Sequence, residues 1–328
     1  MSMLVIKKGT LDTIQDNGRT GWQHLGIPVG GYMDPISAKL ANLLVGNSPQ
    51  EAVLEIFLPG PVLQFTSNAL IAITGAGSVV SSDGIEIEFN RPTVVGAGTN
   101  LYWQPTSIGR ISYLAIRGGW QLTPWLGSYS TCWGVAESGW QGRALQKNDT
   151  IPFRESLNLP FVPARASIRP LPWKHELPTD TKEPIQLMPD NQLSLLSKES
   201  MLHLTSTPFL LHPNSNRMSY SLTGRLLTGQ HREMISSAIM WGSLQWLPEG
   251  QLQIFMADHP TTGGYPRIAR VAAADRGRLA QWPLQKPIFF DWITREKAEK
   301  SLLEQHAYLT RLEKALHLRM VSYLTGSS

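Results

Sequence analysis

The chain has 328 residues, a length that predicts about two domains. Hydrophobic residues make up 42% of the chain and charged residues 16%, a globular composition that excludes a disordered protein. The formal net charge of +4 is spread along the chain without a block of Lys or Arg, so we expect ordinary solubility and no nucleic-acid partner.

Short apolar or alternating segments dominate the first half of the chain. Gly, Pro, Asn or Asp bounds each of them, which is typical of strands in β-barrels and sandwiches. One helix interrupts them: Asp34 is placed to cap it, Pro35 takes its first position, and Gly46 ends it. The predicted strands are residues 3–6, 53–58, 62–66, 70–73, 79–81, 85–89 and 111–116.

A proline-rich segment, residues 157–184, predicts the connection between two domains. We expect a first β domain at residues 1–165, a second at 166–293, and a C-terminal helix and tail at 294–328. The strands predicted after the connection are residues 185–188, 201–204, 207–211, 219–222, 252–257 and 267–272.

Residues 294–320 predict a long amphipathic helix with Thr294 as its N-cap. Because acidic residues are mixed into its polar face, packing onto the protein body or onto a partner is favoured over membrane contact. The apolar positions of this helix are Ala298, Leu302, Leu309, Leu312, Leu316 and Met320.

The sequence also predicts the compartment. A run of about 18 apolar residues, which a membrane span requires, does not occur, and the first residues do not form a signal peptide. The single cysteine, Cys132, excludes a disulfide within the chain. We therefore expect a cytoplasmic protein without membrane contact.

Several common catalytic motifs are absent from the sequence. It contains no P-loop, no dinucleotide-binding glycine pattern, no Gly-x-Ser-x-Gly elbow and no His or Cys spacing typical of zinc sites. We therefore expect no metal, and a chain that acts through a partner or on a substrate bound between domains.

Six ordered segments resemble a known family, and the most specific of them is the last. Together they resemble the KipA family, which comprises 5-oxoprolinase C subunits and is also called allophanate hydrolase subunit 2, over residues 4–290. The first segments are residues 9–19, 26–34, 41–47 with Leu54-Glu55, and 126–131 with 142–145. The last two are Ser215-Asn216-Arg217-Met218 and Met256-Ala257-Asp258-His259-Pro260-Thr261-Thr262-Gly263-Gly264-Tyr265-Pro266.

The resemblance implies a mainly β fold of two cyclophilin-like β-barrel domains, to which the helix pattern adds a C-terminal α-helix. Two segments depart from the family pattern. The usual Ser-Gly-Ala-Met-Asp reads Gly30-Gly31-Tyr32-Met33-Asp34 here. The usual Ser-Asp-Arg-Met-Gly-Tyr-Arg-Leu reads Ser215-Asn216-Arg217-Met218-Ser219-Tyr220-Ser221-Leu222, which replaces a carboxylate with an amide and removes an arginine.

The resemblance also implies a hydrolase subunit that opens 5-oxoproline to glutamate. It would use ATP through the complex and be inactive alone. One partner would resemble KipI or the 5-oxoprolinase B subunit, and another the 5-oxoprolinase A subunit.

Two alternative functions stay open. One is a carboxyltransferase subunit that accepts carboxybiotin, as in urea carboxylase. The other is a regulator that binds a KipI-like inhibitor of a histidine kinase. The biotin-acceptor Met-Lys-Met is absent, so no biotin is attached to this chain.

The most specific segment predicts a site for a small lactam or amide. Paired glycines let backbone N–H groups approach a ligand, and hydroxyl groups beside them add donors to a developing oxyanion. The alternatives are a tight turn with positive φ, an Asx turn at Asp258 and a surface ion pair at Arg217. Catalytic roles are assigned to Asp258, Tyr265 and Arg217, and substrate binding to Thr261, Thr262, Gly263 and Gly264.

Other polar residues are weaker candidates for substrate contact. Gln245 and Gln281 each offer a donor and an acceptor to a planar amide, but the interpretation as satisfied core amides is somewhat favoured. Asp34 is foremost a helix cap. The candidates for a pocket in the first domain, which turn chemistry also explains, are Ser128, Ser130, Thr131 and Arg143.

Overall fold

The short alternating segments form β-strands that pair almost entirely antiparallel. The computed structural model describes residues 1–104, 106, 109–155, 168–177, 184–230, 232 and 234–325. Within them the chain forms two units, here called unit 1 and unit 2, and the predicted mainly β class with a C-terminal helix is confirmed.

Unit 1 comprises Met1–Gly18, Asp34–Pro178 and Tyr308–Ser328. Two six-stranded sheets form it, in the orders β11-β1-β4-β9-β6-β7 and β12-β8-β5-β10-β3-β2. The strands are β1 (Ser2–Lys7), β2 (Leu11–Gln15), β3 (Val53–Phe57), β4 (Val62–Phe65), β5 (Ala69–Gly75), β6 (Ser78–Ser81), β7 (Glu86–Ile87), β8 (Thr93–Val95), β9 (Asn100–Gln104), β10 (Ile111–Ile116), β11 (Thr150–Pro152) and β12 (Ile168–Pro170).

Apolar side chains of both sheets pack together as the core of unit 1. Trp120, at 0% exposure, stacks edge-on against Phe153 with ring centroids 5.8 Å apart. Burying one such large side chain contributes on the order of 2–3 kcal/mol. Other fully buried members of this core are Met3, Ile14, Leu54, Phe65, Ile71 and Leu114.

Unit 2 comprises Arg19–Met33 and Thr179–Ala307. It contains a seven-stranded sheet, ordered β14-β15-β18-β17-β20-β13-β21, and a two-stranded pair, β16-β19. The strands are β13 (Ile185–Pro189), β14 (Leu210–Leu211), β15 (Ser219–Thr223), β16 (Ser237–Ala238), β17 (Ser243–Trp246), β18 (Leu252–Phe255), β19 (Thr262–Gly263), β20 (Arg267–Val271) and β21 (Phe290–Trp292).

The limits of the two units differ from the predicted domains at 1–165, 166–293 and 294–328. Residues 19–33 belong to unit 2, although they precede most of unit 1 in sequence. Within the predicted connection, 157–184, residues 168–170 form a strand that pairs with β8, while 157–167 and 178–183 lie outside the described residues. Apolar Ile168 completes the sheet of unit 1, so this part of the connection is strand and not linker.

The four α-helices are α1 (Pro35–Leu44), α2 (Lys198–Ser206), α3 (Arg276–Ala280) and α4 (Arg295–Thr325) in the described residues. Short 3₁₀ helices occupy Gln23–Leu25, Leu193–Leu195 and Ala273–Asp275. The limits of α1 are close to those predicted, because its start signals are local. Asp34 accepts a hydrogen bond from Ser37 N–H at 3.2 Å, and Pro35 begins the helix.

The strand predicted at 201–204 is wrong, because these residues lie inside α2. Ser197 caps this helix by accepting from Ser200 N–H at 3.1 Å. Its buried side chains, Ser200 and Leu204, are four residues apart, which is helical spacing on one face. The N-cap serine was the local signal that favoured a helix over a strand.

The C-terminal helix α4 buries the predicted face. Leu316 and Met320 are each 3% exposed, and Met320 lies against Gly46 in unit 1. Tyr323 packs edge-on against Trp173, with ring centroids 5.5 Å apart. The prediction that this helix packs onto the protein body is therefore confirmed. Among the described residues, α4 and the other helices are too short or too polar to cross a membrane.

Candidate functional site

The segment of residues 258–265, called the 258–265 loop below, leaves the end of β18 in unit 2. The residues that lead into the loop extend the pairing of β15 with β18, since Met256 N–H and Asp258 N–H donate to Met218 O and Arg217 O, both at 2.9 Å. Farther along, Thr262 and Gly263 pair with the strand of residues 237–238. Both ends of the loop are therefore fixed by strand pairing.

A buried ion pair anchors the start of the 258–265 loop. Arg217 is 2% exposed, and its Nε and Nη2 donate to the two carboxylate oxygens of Asp258 at 2.8 and 2.7 Å. Nη2 also donates to Gly31 O at 2.8 Å. The two residues predicted as catalytic are thus brought together, but their hydrogen-bonding groups are largely used in holding each other. Their catalytic roles stay predictions.

Gln245 anchors the other end of the loop. Its side chain is buried, and Nε2 donates to Tyr265 O at 3.0 Å. A Cβ atom added at Gly263 would lie 2.8 Å from that Nε2, so the glycine is needed for the close approach. Of the two interpretations of Gln245, the satisfied core amide agrees with this contact. Gln281, by contrast, lies at the end of α3.

The loop does not use the left-handed backbone conformation. Neither Gly263 nor Gly264 has a positive φ, so the alternative of a glycine turn with positive φ is wrong. A Cβ at Gly264 would make ordinary contacts, 3.5 Å from Ser236 Oγ and 3.8 Å from Met234 O. Within the described residues there is room for a side chain at Gly264.

Three side-chain hydroxyls of the loop remain available to a ligand. Those of Thr261, Thr262 and Tyr265 make no hydrogen bond to any of the residues that the structure describes. Thr262 is exposed, and Tyr265 is 48% exposed. The loop is therefore anchored from its buried side, while its outer side offers free donors and acceptors.

His259 is a functional candidate that the sequence analysis did not single out. It is 2% exposed, and its Nδ1 donates to Pro260 O at 2.8 Å, which leaves Nε2 as the acceptor of the neutral ring. Burial lowers the pKa of His259, and the charge of Arg276 lowers it as well. A neutral imidazole can accept a proton. Its position in the family motif, directly after Asp258, was the available signal.

Asn216 occupies the position where the pattern of the resembled family has Asp. Its Oδ1 accepts from the N–H groups of Met218 and Ser219 at 2.8 and 3.3 Å, as in an Asx turn. An amide oxygen accepts these bonds as a carboxylate would. The substitution thus preserves the turn that presents Arg217.

The loop glycines provide a matched pair of substitutions. Gly263→Ala is expected to break the Gln245–Tyr265 hydrogen bond, lowering the free energy of unfolding by about 1–2 kcal/mol. Gly264→Ala is expected to leave stability unchanged or raise it by up to about 1 kcal/mol, through a less flexible unfolded chain. Urea denaturation of both variants measures the difference, and equal destabilisation by the two would contradict this geometry.

The hydroxyl candidates of the first domain surround a buried carboxylate in unit 1. Ser128 and Ser130 each donate from Oγ to Asp16 Oδ1 at 2.6 Å, and Tyr129 N–H donates to Oδ2 at 2.7 Å. Thr131 Oγ1 donates to Ile14 O at 3.1 Å. These contacts hold β2 against residues 128–131, and they agree with the interpretation as turn chemistry.

Asp34 and Arg143 are also engaged within unit 1. Both Arg143 terminal nitrogens donate to the Asp149 carboxylate, at 2.7 and 2.8 Å. Asp34 caps α1 as predicted, and its N–H donates to Tyr113 Oη at 2.7 Å. Tyr113 Oη in turn donates to buried Glu55 at 2.8 Å. Proposed substrate contacts for Asp34 and Arg143 stay predictions.

Comparison with known proteins identifies the family of this chain, which the geometry alone does not. The family model described as carboxyltransferase domain, subdomain A and B, matches residues 25–292. The chain belongs to the carboxyltransferase domain family. This family segment contains the whole 258–265 loop together with its anchors Arg217 and Gln245.

Relatives in this carboxyltransferase family differ in length. The chain is 33% identical to the 5-oxoprolinase C subunit of Escherichia coli (strain K12), covering 95% of this chain and 98% of that one. The Kluyveromyces lactis urea amidolyase structure matches with TM-score 0.84 and 26% identity, over 95% of this chain and 20% of the enzyme. The TTHA0988 crystal structure matches with TM-score 0.74 and 29% identity over 88% of this chain. The match covers 55% of the TTHA0988 chain.

Potential metal ligands are scattered in the part of the carboxyltransferase chain that the structure describes. Among those residues, no three His, Cys, Asp or Glu side chains lie together as a metal site would require. The 258–265 loop and its anchors present carboxylate, hydroxyl, imidazole, guanidinium, amide and backbone groups.

Proposed function

We propose that this chain is the C-type subunit of an ATP-dependent 5-oxoprolinase, acting with A-like and B-like subunits to open 5-oxoproline to glutamate. The match to the Escherichia coli protein supports this, because it extends over 98% of that protein. The match to urea amidolyase covers only 20% of that enzyme. Coverage of nearly the whole 5-oxoprolinase C subunit, against a fifth of urea amidolyase, favours the C-type subunit.

The chemistry of a lactam agrees with the groups on the 258–265 loop. An amide carbonyl is a poor electrophile, and attack on it places negative charge on oxygen. Donors aimed at that oxygen stabilise the charge. Tyr265 and Thr262 carry unbonded hydroxyls within the described structure, and neutral His259 has an acceptor nitrogen for a proton. ATP, supplied through the complex, would activate the lactam oxygen.

Biotin-dependent carboxyl transfer is the second candidate function. The family match and the TM-score of 0.84 to urea amidolyase favour it. Both reactions place charge on an oxygen of an amide or ureido group, so the same loop suits either. The two functions differ in the co-substrate, ATP with 5-oxoproline against carboxybiotin carried by another protein.

An assay of the complex separates these functions. The chain is purified with its A-like and B-like partners, and ATP hydrolysis and glutamate formation are measured with and without 5-oxoproline. The proposal expects turnover that needs all three proteins. Carboxyl transfer from carboxybiotin without 5-oxoproline turnover would favour the second function. Turnover by the isolated chain would contradict the dependence on partners.

Tyr265→Phe tests the loop within that complex. The change removes one hydroxyl and keeps the ring, which is 48% exposed. If the hydroxyl contacts the developing charge, turnover is expected to fall roughly 10- to 1000-fold, as on removal of one oxyanion donor. The melting temperature is expected to stay constant, because this hydroxyl has no hydrogen bond within the described chain.

Tyr102→Phe is the control for removal of a tyrosine hydroxyl outside the loop, since Tyr102 is a half-buried residue of unit 1 whose Oη accepts from Asn100 Nδ2 at 3.4 Å. It is expected to leave turnover unchanged. If Tyr265→Phe and Tyr102→Phe both assemble and both turn over like the wild type, Tyr265 has no role in the site.

A further inference from the structure

Arg276, the first residue of α3, carries a positive charge without a counterion among the described residues. Its guanidinium makes no hydrogen bond or ion pair with the residues that the structure describes, and its Nε is buried without an acceptor. Its Cζ lies 5.1 Å from the centre of the Trp241 ring. A cation–π contact of this kind orients the guanidinium but leaves its N–H groups unbonded.

A second arginine lies at the same turn. Arg270, on β20, is paired in register with Ser243, and its Nη1 lies 3.7 Å from the sulfur of Met240. A thioether is a weak acceptor. Arg270 and Arg276 therefore both approach the turn of residues 240–243, Arg270 through Met240 and Arg276 through Trp241.

The carboxylates on the neighbouring segments are already used. Asp275 Oδ2 accepts from Gln186 N–H at 2.7 Å and from Arg278 Nη2 at 2.9 Å. Both oxygens of Asp258 accept from Arg217. Neither of these acids therefore neutralises the two arginines.

The pKa of Arg276 agrees with two neighbouring arginines that have no counterion among the described residues. Burial lowers the pKa of Arg276 to about 10, and the positive charge of Arg270 contributes to the lowering. The guanidinium is still charged at neutral pH. Two like charges without a counterion repel each other, and a bound anion would remove that repulsion.

We propose that Arg270 and Arg276 form a binding site for one oxyanion group, a carboxylate or a phosphate, beside the turn of residues 240–243. Guanidinium N–H groups match the two oxygens of either group in fork geometry. The site lies near the 258–265 loop, because Ile239 N–H, directly before the turn, donates to Thr261 O at 3.0 Å. A carboxylate or phosphate held there would place the rest of its molecule near that loop.

The choice of 5-oxoproline as a probe rests on the proposed function. Binding of an oxyanion by the two arginines does not depend on that function. Titration calorimetry on the full chain uses inorganic phosphate, 5-oxoproline and 2-pyrrolidinone, which has the same ring without the carboxylate. Binding of 5-oxoproline but not 2-pyrrolidinone identifies a carboxylate site. Binding of phosphate alone identifies a phosphate site. Either result supports the proposal.

Substitutions then locate the binding. Arg276→Gln and Arg270→Gln are each expected to raise the Kd of the bound oxyanion about 10- to 100-fold, as expected for the loss of a charged hydrogen-bond donor. Arg276→Lys keeps the charge without the fork and is expected to bind with intermediate affinity. Arg225→Gln is the control, since it removes the same charge from the exposed pair with Glu199.

Two results would overturn the site. One is a wild-type chain that binds neither phosphate nor 5-oxoproline at millimolar concentration. The other is wild-type affinity in folded Arg276→Gln and Arg270→Gln variants. If Arg276→Gln does not fold, Arg270→Gln decides alone. Binding can be measured without turnover. If the complex does not turn over 5-oxoproline but the chain still binds phosphate through these arginines, the proposed function is refuted and the oxyanion site is supported.

Discussion

Arg217→Met is expected to lower the free energy of unfolding by about 3–5 kcal/mol, the usual result of removing one partner of a buried ion pair. The substitution leaves the Asp258 carboxylate, whose side chain is 13% exposed, without its two donors. It also removes the donor to Gly31 O. Guanidinium chloride denaturation followed by circular dichroism measures the loss.

Arg225→Met is the matched control for Arg217→Met. The Arg225 side chain is 54% exposed and pairs with an exposed Glu199, so the expected loss is below about 0.5 kcal/mol. Arg217→Lys keeps the charge but not the two-pronged contact, and an intermediate loss is expected. A loss below about 1 kcal/mol for Arg217→Met would show that this pair does not anchor the loop.

Asp12→Asn is expected to stabilise the protein at pH 8 by at most about 4 kcal/mol, with little effect at pH 4. Asp12 lies on β2 at 1% exposure, where Oδ2 accepts from Gly9 N–H at 2.7 Å and Oδ1 has no partner in the described structure. Burial raises the pKa of Asp12 from 3.8 to about 7, although the Gly9 hydrogen bond opposes this.

The direction of the pH dependence follows from proton binding. Between pH 4 and 7 the folded state holds a proton on Asp12 that the unfolded state releases. The contribution of Asp12 to the free energy of unfolding of the wild type therefore decreases as the pH rises toward about 7. Asparagine cannot ionise and removes this contribution. Urea denaturation from pH 4 to 8 measures it, with exposed Asp83→Asn as control. Parallel pH curves for wild type and Asp12→Asn would contradict the buried acid.

Elements with local signals were predictable from the sequence. Asp34 and Pro35 mark the start of α1 by chemistry confined to one turn, and both take the predicted positions. Strand β2, residues 11–15, was missed because its burial depends on β3 of the same sheet, which lies about 40 residues later in the chain. Its polar residues Asp12, Thr13 and Gln15 are buried, which an alternation pattern does not anticipate.

The candidate site was predictable only where the family motif specifies it. The resemblance selected the 258–265 loop, but the pairing of Asp258 with Arg217 joins residues 41 positions apart, and no local pattern encodes it. Arg276 has no motif around it. Its lack of a counterion among the described residues becomes visible only when Trp241, Arg270 and the occupied Asp275 are placed around it in three dimensions.

The bond from Arg217 to Gly31 O has a consequence for synthesis on the ribosome. The two residues are 186 positions apart, and residues 19–33 belong to unit 2. At about 5–20 residues per second, the early segment emerges roughly 10–40 s before Arg217 is made. During that interval the sheet of unit 2 is not yet available to residues 19–33. A nascent chain stalled before Arg217 would therefore expose this segment to proteases and chaperones.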